Sequence, residues 1–247
     1  MTRPPDHLRP GRGFTAGGIA VLVTAAGAAA VCALAALFAA ILDNVLDGDG
    51  FTAWDRPIST WIAAHRDPAL TAIMRGLTDL GNPPVLATTI AAAAAVTAIR
   101  VRTLGPAVLG TAAFAGFGLM VVTVKLAVGR PRPPDAERAI AVDGSSFPSG
   151  HAAGIAVVAL VSAWMLNSAY RWSRRTRLAV WAAAVVLVVA VGSSRVYLGV
   201  HYASDIVAGW ALGASWAGFV IVAGTAATPL WRDHSPGRRR RRSRPCL

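Results

Sequence analysis

Charge is absent from six long stretches of this chain: residues 13–42, 80–99, 103–124, 144–170, 178–194 and 206–231. Ala, Val, Leu and Gly dominate them, and no apolar–polar alternation runs far enough to mark strands. The pattern predicts helices and not a membrane barrel. All but one stretch reach the roughly 20 residues a helix needs to cross a hydrocarbon core. The exception, 178–194, is flanked by Arg177 and Arg195, whose side chains are expected to snorkel to the two interfaces. The predicted architecture is an all-α bundle of six transmembrane spans over residues 14–231. The first run is about twice too long for the apolar part of a cleaved signal peptide, so it reads as a signal anchor.

Residues 43–83 are more polar. Asp55 with Pro57 predicts the start of a short helix carrying Ile58, Trp61 and Ile62 on one face. Asp67 with Pro68 predicts another, with Leu70, Ile73, Met74 and Leu77 at helical spacing. The apolar faces are expected to pack on the bundle or the lipid surface. A lid or lipid entrance is the alternative.

Composition sharpens this picture. Of 247 residues 55 % are hydrophobic and 15 % charged, against about 25 % charged in a soluble domain. The mean hydropathy is +0.52. Disorder of the whole chain and a disulfide scaffold are excluded, since Cys32 and Cys246 are the two cysteines. Twenty-three arginines against one lysine, with abundant alanine, point to a GC-rich bacterial genome.

A net charge of +12 is unusual on so apolar a chain. Six spans place both termini on one side, with Arg3, Arg9, Arg12, Arg100, Arg102, Arg171, Arg174, Arg175, Arg177, Arg232, residues 238–242 and Arg244. That side holds 16 basic and two acidic residues; the other holds eight basic and ten acidic. The positive-inside rule then makes the N-terminal segment 1–13 and the arginine-rich tail 232–247 cytoplasmic. The tail is expected to hold anionic lipid headgroups and enforce topology, not to bind nucleic acid. Residues 1–12 and those from about 234 are expected to be disordered.

Candidate chemistry gathers on the opposite face, between residues 125 and 205. Lys125 ends the third span and Arg132 follows in a proline-rich segment. Ser149, Gly150 and His151 open the fourth span, Ser194 and Arg195 end the fifth, and His201 and Asp205 open the sixth. Three cations and the free N–H groups of a helix start suit a phosphate. They do not suit Mg²⁺, Ca²⁺ or zinc, so no metal or cofactor is expected. Asp205 lies one helical turn from His201, where it can fix the ring tautomer and free the other nitrogen as nucleophile. His151 has no such partner in sequence and is placed to act as a general acid.

Three motifs result. Residues 125–133 read K-x-x-x-x-x-x-R-P, residues 148–151 read P-S-G-H, and residues 194–205 read S-R-x-x-x-x-x-H-x-x-x-D. This pattern resembles the type 2 phosphatidic acid phosphatase superfamily, and no motif position departs from it. The resemblance implies a metal-independent membrane lipid phosphatase working through a phosphohistidine. His201 would be the nucleophile, Asp205 its orienting partner, and His151 first acid and then base. Lys125, Arg132, Ser149, Gly150, Arg195 and Ser194 would hold the phosphate. Polyprenyl pyrophosphate, phosphatidic acid and phosphatidylglycerol phosphate are the expected substrates. A non-enzymatic lipid or anion carrier and a vanadate-dependent haloperoxidase are the alternatives. Arg130 lies outside the pattern and is expected to face water, with a second phosphate as its alternative contact.

Overall fold

The computed structural model describes residues 16–233. The expectations for the terminal segments, including Cys246 and the arginine run, lie outside these residues. Eight α-helices follow in order: α1 Ala16–Asp47, α2 Asp55–Ala64, α3 Pro68–Asp79, α4 Pro83–Val101, α5 Gly105–Val128, α6 Gly150–Ala169, α7 Arg174–Tyr197 and α8 Ala203–Asp233. Single 3₁₀ turns lie at Gly50–Trp54 and Asp135–Glu137. Among the described residues there is no strand, and α1, α4, α5, α6, α7 and α8 are long and apolar enough to cross a membrane.

The helix ends follow local rules. Asn82 precedes Pro83 and Pro84, which suit the donor-poor first turn of α4. Gly129 stops α5 at a φ of 61°, a left-handed conformation that glycine adopts without Cβ strain. Ser149 caps α6, its Oγ accepting from the Ala152 N–H at 3.4 Å. Ser173 caps α7, accepting from the Thr176 N–H at 3.1 Å.

The fifth span corrects an expectation. Helix α7 runs 24 residues, past both flanking arginines. Arg195 does not snorkel outward. It is 3 % exposed and donates from Nη1 to Thr78 Oγ1 at 2.9 Å.

Helix α6 is the axis of the bundle. Ala152, Ala153, Ile155, Val157, Val158 and Val161 are buried, and α4, α5, α7 and α8 pack around it, while α1 packs on α8 from outside. The close approach of α6 and α8 depends on glycine. A Cβ at Gly213 would lie 2.4 Å from the Ala153 carbonyl oxygen, and one at Gly209 2.8 Å from that of Ser149. Small residues let helix backbones approach closely in a membrane. Here they bring the first turns of α6 and α8 together, and the Ser149 N–H reaches the Asp205 carbonyl at 3.1 Å. Outward positions such as Ile99, Leu119, Leu126 and Val186 are exposed and apolar. Such an outer surface suits lipid and not water.

The two short helices form where expected, and α2 turns Ile58 and Ile62, both half-buried, to the same side as two polar residues. Trp61 is 63 % exposed, and the fully buried side chains of α2 are polar, Asp55 and Ser59. Helix α3 packs on α7, leaving Leu70 and Ile73 exposed. Arg66, between α2 and α3, donates from Nε to the Tyr197 carbonyl at 2.9 Å.

Candidate active site

The C-terminal ends of α5 and α7 and the N-terminal ends of α4, α6 and α8 meet at one end of the bundle, and the expected residues gather there. His201 is 2 % exposed and its Nδ1 lies 3.3 Å from Asp205 Oδ2. Its Nε2 faces Arg132 Nη1 at 3.2 Å. A guanidinium only donates, so Nε2 accepts and the ring proton sits on Nδ1, directed at Asp205. The geometry therefore selects the tautomer that carries its lone pair on Nε2, engaged by the Arg132 guanidinium. Burial lowers the His201 pKa to about 4, Asp205 raising it and Arg132 and Arg195 lowering it further. The ring is neutral at physiological pH.

Asp205 is fully buried and saturated with donors. Oδ2 accepts from the Tyr202 N–H at 2.9 Å and from the Ser146 hydroxyl, besides the histidine. Oδ1 accepts from Arg130 Nη1 at 2.7 Å.

The cations differ in what holds them. Lys125 donates to the Ser145 carbonyl. Arg132 donates to the carbonyls of Gly144 at 2.9 Å, Val200 at 2.6 Å and Ser145 at 3.3 Å. Arg195 is held by the Thr78 hydroxyl, and its Nε is buried with no partner. Among the described residues none of these three meets a carboxylate within 4 Å. Their charge is left for an anion. Burial lowers the Arg132 pKa, with Asp205 opposing, yet a guanidinium stays protonated at any physiological pH.

Arg130 corrects a second expectation. It does not face water. Nη2 donates to Asp55 Oδ2 at 2.7 Å, Nη1 to Ser204 Oγ and Asp205 Oδ1 at 2.7 Å each, and the guanidinium lies 4.6 Å from the centre of the Tyr202 ring. Burial alone would lower its pKa, but Asp205 and Asp55 outweigh that and raise it. Its spacing of two from Arg132 in an extended, proline-rich segment was the available signal. Asp55, Ser146, Ser204, Asn82 and Thr78 carried none, because they meet the site only through the fold.

His151 stands on the first turn of α6, its Nε2 3.1 Å from Asn82 Oδ1 at the start of α4. Gly81 lies against this ring: a Cβ there would be 2.7 Å from His151 Cδ2. Ser149 is buried, while Gly150 has room: a Cβ there would meet only Val121, at 3.6 Å. Ser194 points elsewhere. Its hydroxyl donates to the Val191 carbonyl of its own helix at 2.6 Å. Among the described residues no three His, Cys, Asp or Glu side chains converge as metal ligands.

This constellation has known counterparts. A family model described as the PAP2 superfamily matches residues 104–229. The chain belongs to the PAP2 superfamily. Phosphatidylglycerophosphatase B of Bacillus subtilis is 32 % identical over 177 residues, covering 72 % of this chain and 86 % of that protein. Undecaprenyl-diphosphatase of Sulfolobus acidocaldarius is 35 % identical over 85 residues, 34 % of this chain and 36 % of that one. The crystal structure of a transmembrane PAP2-type phosphatidylglycerolphosphate phosphatase from Bacillus subtilis superimposes with a TM-score of 0.71 at 28 % identity, covering 79 % of this chain and 96 % of that one. This PAP2 chain is a multi-pass membrane protein and a phosphoric monoester or pyrophosphate hydrolase.

Proposed function

We propose that the chain hydrolyses a phosphomonoester or pyrophosphate of a membrane lipid through a phosphohistidine, without metal, at the extracytoplasmic face. The observation that carries this reading is the His201 ring, with Nδ1 toward Asp205 at 3.3 Å and Nε2 toward Arg132 at 3.2 Å, beside cations that no carboxylate neutralises.

His201 Nε2 attacks phosphorus, and the bond to the leaving oxygen breaks. The ring gains positive charge, which Asp205 stabilises through Nδ1–H. Lys125, Arg132 and Arg195, with the Gly150 N–H, stabilise the equatorial oxygens as charge develops; the Ser149 N–H is taken by the Asp205 carbonyl, which leaves Ser149 its hydroxyl as the donor. His151 protonates the leaving oxygen, then takes a proton from the water that cleaves the phosphohistidine. Ser194 contributes through packing, since its hydroxyl is committed to Val191.

The site lies at the ends of membrane helices, beside the exposed Trp54 and Trp61 of an interfacial segment. That favours a headgroup phosphate of the adjoining leaflet over a soluble ester. Detergent-purified protein is tested on polyprenyl pyrophosphate, phosphatidic acid and phosphatidylglycerol phosphate with chelator present. Phosphate release is expected from at least one of them, and His201→Ala abolishes it without loss of fold. Strict dependence on Mg²⁺, or full activity in His201→Ala, overturns the mechanism. Lipid transfer between liposomes without phosphate release favours the carrier alternative.

A further inference from the structure

We infer that Asp55 on α2 and Arg130 extend the His201–Asp205 pair into a four-member relay, and that both are positioning residues for the nucleophile. This rests on the phosphatase reading above. Arg130 bridges two buried carboxylates with separate nitrogens, Nη1 on Asp205 Oδ1 and Nη2 on Asp55 Oδ2, each at 2.7 Å. Asp55 is 2 % exposed and also accepts from the Ser204 N–H at 3.0 Å and from the Ser204 hydroxyl. It therefore closes the first turn of α8 from another element, the turn that carries Asp205.

Two effects follow from one geometry. Arg130 pins Oδ1, so the carboxylate cannot rotate and Oδ2 stays toward the histidine. A lone arginine beside Asp205 would, however, cancel the negative charge that the phosphorylated ring requires. Asp55 restores it: two carboxylates and one guanidinium leave a net charge of −1 facing the ring. A single carboxylate on Arg130 would orient without balancing.

His201 also feels Arg132 from the loop after α5 and Arg195 from α7, and His151 on α6 faces it; Lys125 on α5 acts on Arg132 and Asp205 beside it. Against the fixed charges of Arg132 and Arg195, loss of one negative charge moves the histidine titration downward. Asp55→Asn is therefore expected to lower kcat about 10–100-fold, to leave KM within about threefold, and to shift the acid limb of kcat/KM to lower pH. Asp55→Glu keeps the charge and returns the limb toward the parental position. Arg130→Lys keeps the charge but cannot bridge, so kcat falls while the limb stays.

Binding of inorganic vanadate, a phosphate analogue that can bond to an imidazole nitrogen, supplies a readout without turnover. Its Kd is expected to rise about tenfold in Asp55→Asn, the low end of that range. The relay is overturned if Asp55→Asn, folded by gel filtration, keeps the parental kcat, acid limb and vanadate affinity, or if only its melting temperature changes. If Asp55→Asn does not fold, Asp55→Glu and Arg130→Lys decide by the same measurements. Should the parent bind vanadate through His201, and the variants weaken it in this order, while no lipid yields phosphate, the relay stands and the phosphatase reading falls.

Discussion

Four cationic side chains stand around the His201–Asp205 pair, and their partners divide them into two kinds. Lys125, Arg132 and Arg195 rest on carbonyl and hydroxyl oxygens, whereas Arg130 rests on two carboxylates. The first kind keeps its charge available, and the second spends it on structure. Sequence made the first kind legible, because a lone lysine and a few arginines at span ends are conspicuous in so apolar a chain. It hid the second, because Asp55 and Arg130 are 75 residues apart and meet only after α2 has folded back. The pH dependence belongs to this scale. Burial holds the His201 pKa near 4 against an ordinary 6.5. On the proposed mechanism the attacking ring must be unprotonated, so activity is expected to be retained on lowering pH through 6 and lost as pH falls through about 4. A kcat/KM profile, divided by the ionised fraction of the lipid phosphate, should show that acid limb. A limb near 6.5 would mean that the ring is solvated in the working enzyme.

Among the elements, the count and order of helices were legible because period and length dominate in apolar runs. Their ends were less so. A boundary drawn at the first charge stops the fifth span at Arg195, but the helix continues to Tyr197 because that arginine turns inward onto Thr78. On α2 the apolar spacing located the inward side, where Ile58 and Ile62 are half-buried, but not the polar residues that are buried most deeply there, Asp55 and Ser59, with Ser59 donating to Glu137 at 2.6 Å. Their partners lie on distant loops, which local amphipathicity does not reveal. The α6–α8 contact is the element-scale feature on which the site depends, since it sets Asp205 beside Ser149. Gly213→Val would drive side-chain atoms into the Ala153 backbone, whose carbonyl oxygen lies 2.4 Å from the added Cβ. Overpacking of this kind costs about 1–3 kcal/mol, and here backbone must move. A lower melting temperature in detergent is expected, with kcat reduced because the two first turns separate. Gly118→Ala, on a face with nothing within 4 Å, should melt with the parent. Equal melting of Gly213→Val and the parent would show that the helices have room to part.

For the whole molecule, the distribution of charge over the two ends of the bundle decides orientation. At the end away from the site, Arg100 in the last turn of α4 lies 5.7 Å from the centre of the Tyr170 ring, Arg102 and Arg171 stand in the short connections, and Arg174, Arg175 and Arg177 in the first turn of α7. The site end carries ten acidic residues against eight basic ones. Short loops rich in Arg are retained in the cytoplasm during insertion. The catalytic end is therefore expected to face outward, where the lipid phosphates of the outer leaflet would reach it. Thiol labelling tests this on intact cells, in a Cys32→Ser, Cys246→Ser background. Ala141, exposed in the loop before α6, and Thr103, in the turn between α4 and α5, report opposite ends. Ala141→Cys should react with a membrane-impermeant maleimide at once, and Thr103→Cys only after the membrane is opened. The reverse order would place the site in the cytoplasm and make an inner-leaflet lipid the substrate. It would also require the arginine-rich turns to have crossed the membrane, at about 2.3 kcal/mol per charge for every 100 mV of potential opposing them. The charge asymmetry makes that the costlier arrangement, so the labelling pattern tests the balance that fixes the direction of every helix.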